Sequence, residues 1–88
     1  MLTVIRTSGE ITELKPKGKK VSLEEMQKVV GGYIEMVTLK NKVLICNEEG
    51  KLMNLPLNEK ATQMFQLSCG THDVIVGDAI LADFGDIE

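Results

Sequence analysis

A tyrosine, two asparagines, a glutamate and a threonine are the side chains of this sequence best placed to bind a small molecule. Each lies beside a turn or near the predicted start of a helix, where it is not needed to fill a core. An aromatic ring stacks on a base, amide and carboxylate groups hydrogen-bond a ribose or a base edge, and the amides at a helix start attract a phosphate. The five residues are Tyr33, Asn47, Glu48, Asn58 and Thr62.

Each of these residues also has an interpretation that needs no ligand. Tyr33, which follows Gly31-Gly32, either stacks on a base or packs across a sheet, and the sequence favours neither. Glu48 and Glu49 are adjacent in a turn, which favours two solvated carboxylates over a ligand contact. Asn58 is expected to cap the following helix, a role worth ~1 kcal/mol, and a phosphate at the same helix start would be an addition to that role.

Motifs for catalysis and for metal binding are incomplete in this chain. Cys69 and His72 place a thiol near the one histidine, but a Cys–His nucleophile needs a third, orienting group. A zinc site needs about four ligands, and Cys46 adds only one more candidate. Asp83-Phe84-Gly85 matches the kinase triplet in letters only, because the lysine and the catalytic loop of that fold are missing. We therefore predict a protein that is not an enzyme and that has no catalytic residues, metal site or cofactor.

Size and composition limit the class of protein further. The 88 residues predict one domain, residues 1–88, with an aliphatic core, since 43% of the residues are apolar and Trp is absent. So small a core leaves a thin margin of stability, and we expect a homodimer or a larger homo-oligomer. A net charge of −3 argues against a general nucleic-acid-binding protein. Because no signal-peptide pattern and no apolar run of about 20 residues is present, the sequence predicts a cytoplasmic protein without a membrane segment.

Charge is distributed unevenly along the chain. Residues 1–20 contain five basic and two acidic residues, whereas residues 71–88 contain five acidic residues and no Lys or Arg. The asymmetry either joins one subunit to the next or keeps the protein in solution, and the second interpretation is the commoner one.

Local signals predict two helices. The first covers about residues 22–30, begins with a capping box at Ser22-Leu23-Glu24-Glu25 and ends before Gly31. Its apolar face comprises Leu23, Met26 and Val30. The second covers about residues 58–66, is capped by Asn58 and is followed by a loop at Ser68-Cys69-Gly70-Thr71. Its buried stripe comprises Ala61, Met64 and Phe65.

The remaining apolar segments predict the strands of a sheet. Lys40-Asn41 suits a tight hairpin, because Asn tolerates positive φ, and Gly77 indicates a bulge, a bend or a close approach. We predict a small α+β domain, with a mostly antiparallel sheet, two short helices packed on it, and a split β-α-β arrangement as one candidate topology. The predicted strands cover residues 1–7, 11–14, 33–39, 43–46 and 73–83, with a brief extended piece at 52–55.

Four segments of the chain form a pattern that points to a family. They are Val30-Gly31-Gly32-Tyr33-Ile34-Glu35, Asn47-Glu48-Glu49-Gly50-Lys51-Leu52, Leu55-Pro56-Leu57-Asn58-Glu59-Lys60-Ala61-Thr62 and Val76-Gly77-Asp78-Ala79. The pattern covers about residues 20–82 and resembles a family of small phage, plasmid and mobile-element proteins of unknown function. The resemblance implies a cytoplasmic protein of phage or mobile-element origin rather than a housekeeping enzyme.

Small proteins of that origin often act against host defence, and this analogy provides the sharpest functional expectation. We expect a non-enzymatic, oligomeric protein that sequesters a small phosphorylated, nucleotide-like immune signal near a subunit boundary. Tyr33 would stack on the base, and Asn47 and Glu48 would bond the ribose or the base edges. Asn58 and Thr62 would lie beside a phosphate. The alternative is a protein-interaction module that inhibits or adapts a host protein through its sheet edge or its acidic C-terminal segment.

Overall fold

The computed structural model describes residues 2–88, which form one antiparallel sheet of five strands, two α-helices and a short 3-10 helix. The elements are β1 Thr3–Ile5, β2 Ile11–Glu13, α1 Leu23–Val30, β3 Ile34–Thr38, β4 Val43–Asn47, α2 Glu59–Cys69, β5 Ala79–Ala82 and the 3-10 helix Phe84–Asp86. The strand order is β2-β1-β5-β4-β3. The predicted α+β class is therefore confirmed. The split β-α-β topology is wrong, because it needs one strand inserted between the two strands that a helix connects; here α1 connects β2 and β3 at the two opposite edges, and α2 connects the direct neighbours β4 and β5.

The sheet lies between the two helices, because the side chains of its central strands alternate between its faces. On one face, Val43 and Ile45 of β4 pack in a cluster with Met26 of α1. On the other face, Leu44 of β4 packs in a second cluster with Ala61 of α2. All five residues of β4 are buried, which fits its run of four apolar residues from Val43 to Cys46.

Helix α1 confirms the predicted local signals in detail. The Ser22 side chain accepts a hydrogen bond from the Glu25 amide, and the Glu25 carboxylate accepts one from the Ser22 amide. The same carboxylate accepts a hydrogen bond from the Lys17 amide, so it also holds the lysine-rich loop against the helix. The Ser22 amide, followed by the Lys17 amide, lowers the pKa of Glu25. Leu23 was expected on the buried face and is instead half exposed, whereas Met26 is buried.

Tertiary contacts changed several of the predicted boundaries. The tight hairpin between β3 and β4 is confirmed by the Leu39 amide donating to the Lys42 carbonyl, but within residues 2–88 the non-glycine residue with positive φ is Asn54. The reason given for the hairpin, a positive φ at Asn41, is therefore wrong. Residues 52–55 belong largely to a series of turns rather than to an extended piece.

Helix α2 and the final strand differ most from expectation. The helix continues to Cys69 and ends at Gly70, which has a φ of 64°, so the loop predicted at Ser68-Cys69 is wrong. The final strand is shorter than residues 73–83, because residues 73–78 form no strand and only Ala79–Ala82 join the sheet. Gly77 has a φ of 79° and lies against Leu55, which confirms the bend and the close approach predicted there.

Candidate functional site

An open groove of about 500 Å³ lies at the C-terminal end of α1, between the Gly31-Gly32-Tyr33 segment and the turns at residues 48–54. We call it the Tyr33 groove. Tyr33 itself is 67% exposed, a large fraction for one of only three aromatic residues in the chain. An exposed ring beside a concave surface offers a stacking platform for a flat ligand. The groove is lined by Glu24, Gln27, Lys28, Gly31, Gly32, Tyr33, Glu49 and Met53.

Asn47, at the end of β4, joins the two walls of the groove. Its side-chain Nδ2 donates to the Val30 carbonyl at 3.0 Å, and its Oδ1 accepts from the Glu49 amide at 2.8 Å. A Cβ at Gly32 would lie 3.1 Å from that Nδ2, so the second glycine of the pair allows the close approach. The Tyr33 carbonyl accepts from the Glu48 amide, which ties the tyrosine backbone to the same turn. The groove is therefore held in shape without a ligand.

The charge of the groove favours the ring of a ligand over its phosphate. Two carboxylates, Glu24 and Glu49, and one cation, Lys28, line it. The C-terminal end of α1 also carries a partial negative charge from the aligned peptide dipoles. A dianionic phosphate would gain little from such surroundings, whereas an uncharged or cationic ring would be accepted.

Asn58 and Thr62, which were expected beside a phosphate, are buried in the interior and do not line this groove. Asn58 is 0% exposed, and its Nδ2 donates to the Ile5 carbonyl at 2.8 Å and to the Gly77 carbonyl at 2.9 Å. Its Oδ1 accepts from the Ala61 amide at 3.1 Å, which is the predicted cap. The Thr62 hydroxyl exchanges hydrogen bonds with the amide and the carbonyl of Ile75. Both side chains bond the segment before β5 to α2, and neither lies among the residues that line the Tyr33 groove.

Glu48 is exposed, as the solvated interpretation expects, and it lines a second cavity of about 250 Å³. That cavity also includes Phe65, Cys46 and Asp73. The five predicted residues thus fall into three places: Tyr33 lines the first groove, Asn47 and Glu48 line the second cavity together, and the other two lie in the interior. Sequence reasoning missed Gln27, Lys28 and Met53 as lining residues. The glycine pair directly after α1 was the available signal, because it brings the last helical turn beside Tyr33.

The acidic C-terminal segment is partly neutralised within the chain. Arg6 pairs with Asp78 at 2.9 Å, and Lys42 pairs with Asp83 at 2.7 Å. Lys51 forms a third ion pair, with Asp73. The Lys42 ammonium is the main reason that the pKa of Asp83 is lowered to about 2. Three of the five acidic residues of this segment, Asp73, Asp78 and Asp83, are therefore paired with basic residues from other parts of the chain.

The two cysteines lie in different environments. Cys46 is buried in the cluster beneath α2, and burial raises the pKa of its thiol to about 11. Cys69 is exposed at the end of α2, with its Sγ 3.5 Å from the Thr38 carbonyl oxygen. In the part of the chain that the structure describes, no group of three or more His, Cys, Asp or Glu residues is arranged to hold a metal ion.

We predict that iodoacetamide labels only one thiol of the folded protein near neutral pH. The thiolate is the reactive species, so burial and a raised pKa should make Cys46 react at least ~100-fold more slowly than Cys69. Mass spectrometry of the folded protein should give one added group, located at Cys69, and two after denaturation. The variant Cys69→Ser should take up no label while folded, and equal labelling of both thiols would contradict the burial of Cys46.

The fold and the groove together define a small α+β domain in which an antiparallel sheet separates two helices and a preformed groove lies at the end of the first. Among residues 2–88, neither helix is long and apolar enough to cross a membrane. The chain belongs to the family described as "Domain of unknown function (DUF3846)", whose profile matches residues 2–88. Searches of curated proteins and of solved structures return no significant match.

Proposed function

We propose that this protein is a non-enzymatic binding protein that holds a small, ring-containing, nucleotide-like ligand in the Tyr33 groove. The observation that carries the proposal is the exposed Tyr33 ring beside a groove whose backbone is fixed by Asn47. Ligand sites are usually formed before the ligand arrives and combine apolar surface with a few directed polar groups. The Tyr33 groove has both features.

The lining of the groove supports specific contacts to such a ligand. The Tyr33 ring would stack on one face of a base, and the Met53 thioether would contact the opposite face of that base. Gln27 and Glu49 offer amide and carboxylate groups for the base edge and the ribose. Lys28 is the only cation of the lining, so a phosphate would lie beside it at the rim. This arrangement supports recognition through the base and the sugar more than through the phosphate.

The biological setting forms the second half of the proposal. The resemblance to small phage and mobile-element proteins supports a role in the host cytoplasm, where the protein would sequester a nucleotide-derived immune signal. Sequestration needs tight binding and slow release, without turnover. Membership of a family of unknown function leaves this role open to a direct test.

We predict that Tyr33→Ala weakens ligand binding by about 5- to 150-fold, because stacking on an aromatic side chain contributes about 1–3 kcal/mol per base. Isothermal titration of the wild type with a panel of nucleosides and nucleotides, at one fixed salt concentration, identifies the ligand class first. Tyr33→Phe should retain most of the affinity, because the ring face remains. Phe84→Ala is the matched control, since Phe84 is also an exposed ring but does not line the groove.

Two results would contradict the proposal. One is a wild-type protein that binds no member of the panel at millimolar concentration and releases no small molecule when denatured. The other is a ligand whose affinity is unchanged in Tyr33→Ala while the urea midpoint of that variant equals that of the wild type.

A protein-interaction module that inhibits or adapts a host protein is the second candidate. The exposed edge of β3 supports it better than the acidic C-terminal segment does, because Asp73, Asp78 and Asp83 already pair with basic residues of the chain. A loss of activity in Met36→Lys, with Tyr33→Ala harmless, would favour this candidate at the β3 edge, and a loss on reversing the charges of Asp83, Asp86 and Glu88 would favour it at the acidic segment.

A further inference from the structure

The outer side of β3 presents unpaired backbone groups at regular spacing. The Tyr33 carbonyl bonds to the Glu48 amide before the strand, and the Leu39 amide bonds to the Lys42 carbonyl after it. Inward and outward residues alternate in an antiparallel ladder, so the amide and carbonyl groups of Ile34 and Met36 point away from β4. β3 is the last strand of the sheet order, and these groups therefore lie at its open edge.

The two edges of the sheet differ in how they are protected. At the other edge, β2 has only three residues, Ile11–Glu13, and is followed closely by Lys15, Pro16 and Lys17. A short strand followed by lysines and a proline resists pairing with another chain. β3 has five residues, contains no lysine, proline or glycine, and exposes 48% of Met36. Lys40 and Lys42 follow β3 at the same spacing as Lys15 and Lys17 follow β2, so the β3 edge is the less protected one through its greater length and the absence of a proline beside it.

We propose that the β3 edge is the interface of a symmetric homodimer, in which β3 pairs antiparallel with β3 of a second copy. The occupant is a second copy because one register satisfies the strand completely. When Met36 lies opposite the partner's Met36, all five residues of β3 are paired and about six new hydrogen bonds form, including those to the Thr38 carbonyls, each of which also accepts from Cys69 Sγ at 3.5 Å. The two sheets then become one continuous sheet of about ten strands.

The charge on the strand selects this register over its neighbour. If Glu35 rather than Met36 lay opposite its own copy at the centre of the pairing, two glutamates would face each other directly, which is unfavourable. If Val37 lay at the centre, Ile34 would have no partner within the strand. With the centre at Met36, Glu35 lies opposite the partner's Val37 and Ile34 lies opposite the partner's Thr38. The β3 sequence is therefore compatible with its own reversed copy.

A pair of matched lysine substitutions tests the interface. Met36 and Ile11 are 48% and 49% exposed on the two opposite edge strands. Sedimentation equilibrium of the wild type should give a species of twice the 9.7 kDa chain mass. Met36→Lys places two ammonium groups opposite each other and should raise the dimer dissociation constant at least ~10-fold. Ile11→Lys should leave that constant unchanged.

A disulfide tests the register. Directly opposed residues of a hydrogen-bonded pair have Cα atoms about 5.5 Å apart, a distance that a disulfide can bridge. In a Cys69→Ser background, Met36→Cys should form a linked dimer under mild oxidation, whereas Val37→Cys, which would lie opposite the partner's Glu35, should do so far more slowly. A wild type that stays monomeric across the concentration range, or a dimer that Ile11→Lys breaks and Met36→Lys does not, would overturn the proposal. Neither result depends on the Tyr33 groove or on its ligand.

Discussion

Replacing Asn58 with alanine is expected to lower the free energy of unfolding by about 3 kcal/mol. The side chain is fully buried and makes three hydrogen bonds, two as donor and one as acceptor. Alanine removes the cap of α2, which costs about 1 kcal/mol, and leaves the carbonyls of Ile5 and Gly77 without these donors in the interior. The effect is large because one residue connects β1, the start of α2 and the segment before β5.

Urea unfolding of the two proteins measures this effect, as a lower midpoint with an unchanged dependence on denaturant. Asn58→Asp separates the contributions, because it keeps an acceptor for the cap but places a carboxylate against two carbonyls, and it should also destabilise. Asn41→Ala, at an exposed position of the hairpin, should change stability by less than about 0.5 kcal/mol. A normal midpoint for Asn58→Ala, combined with lost ligand binding, would instead support the ligand role expected from the sequence.

Gly77→Ala is expected to cost about 3 kcal/mol for two separate reasons. The backbone of Gly77 has a φ of 79°, which an L side chain adopts at a cost of about 1–2 kcal/mol. A Cβ there would also lie 2.8 Å from Leu55 Cδ1, so Leu55 would have to move. The same glycine accepts a hydrogen bond from Asn58, and its displacement would disturb that contact too.

Gly70→Ala provides the matched control for Gly77→Ala. Gly70 also has a positive φ, 64°, but no atom lies within 4 Å of a Cβ built there. Its cost should be close to the backbone term alone, about 1 kcal/mol, and the difference between the two variants measures the crowding by Leu55. Equal unfolding midpoints for the two variants would show that the chain near Leu55 adapts without cost.

The parts of this fold that could be predicted depend on neighbouring residues in the sequence. Ser22, Glu25 and Gly31 define α1 through contacts within one or two helical turns, so its ends were predicted closely. The end of α2 was placed too early, because Ser68 and Cys69 are weak helix formers and the terminating signal is Gly70. The order of the strands could not be predicted, since it depends on β5 entering between β1 and β4.

The candidate site was predicted in part for the same reason. Tyr33 and its glycine pair were visible as a turn that needed no core role. Asn47, Asn58 and Thr62 were visible as polar residues near element ends, but each also bonds a backbone group between 13 and 53 residues away in sequence. A polar residue that bonds distant backbone groups cannot be distinguished from one that awaits a ligand without the tertiary structure.

The position of β5 also determines when during synthesis the protein can fold. The segments that form β1–β2 and β3–β4 are made first, but a two-stranded ribbon is at best marginally stable in water. Both apolar clusters include residues of β5, Ile80 and Ala82 in one and Ala79 in the other. Neither face of the sheet can therefore close until residue 82 has left the ribosome. A nascent or truncated chain that lacks β5 would therefore expose the apolar faces of both clusters at once.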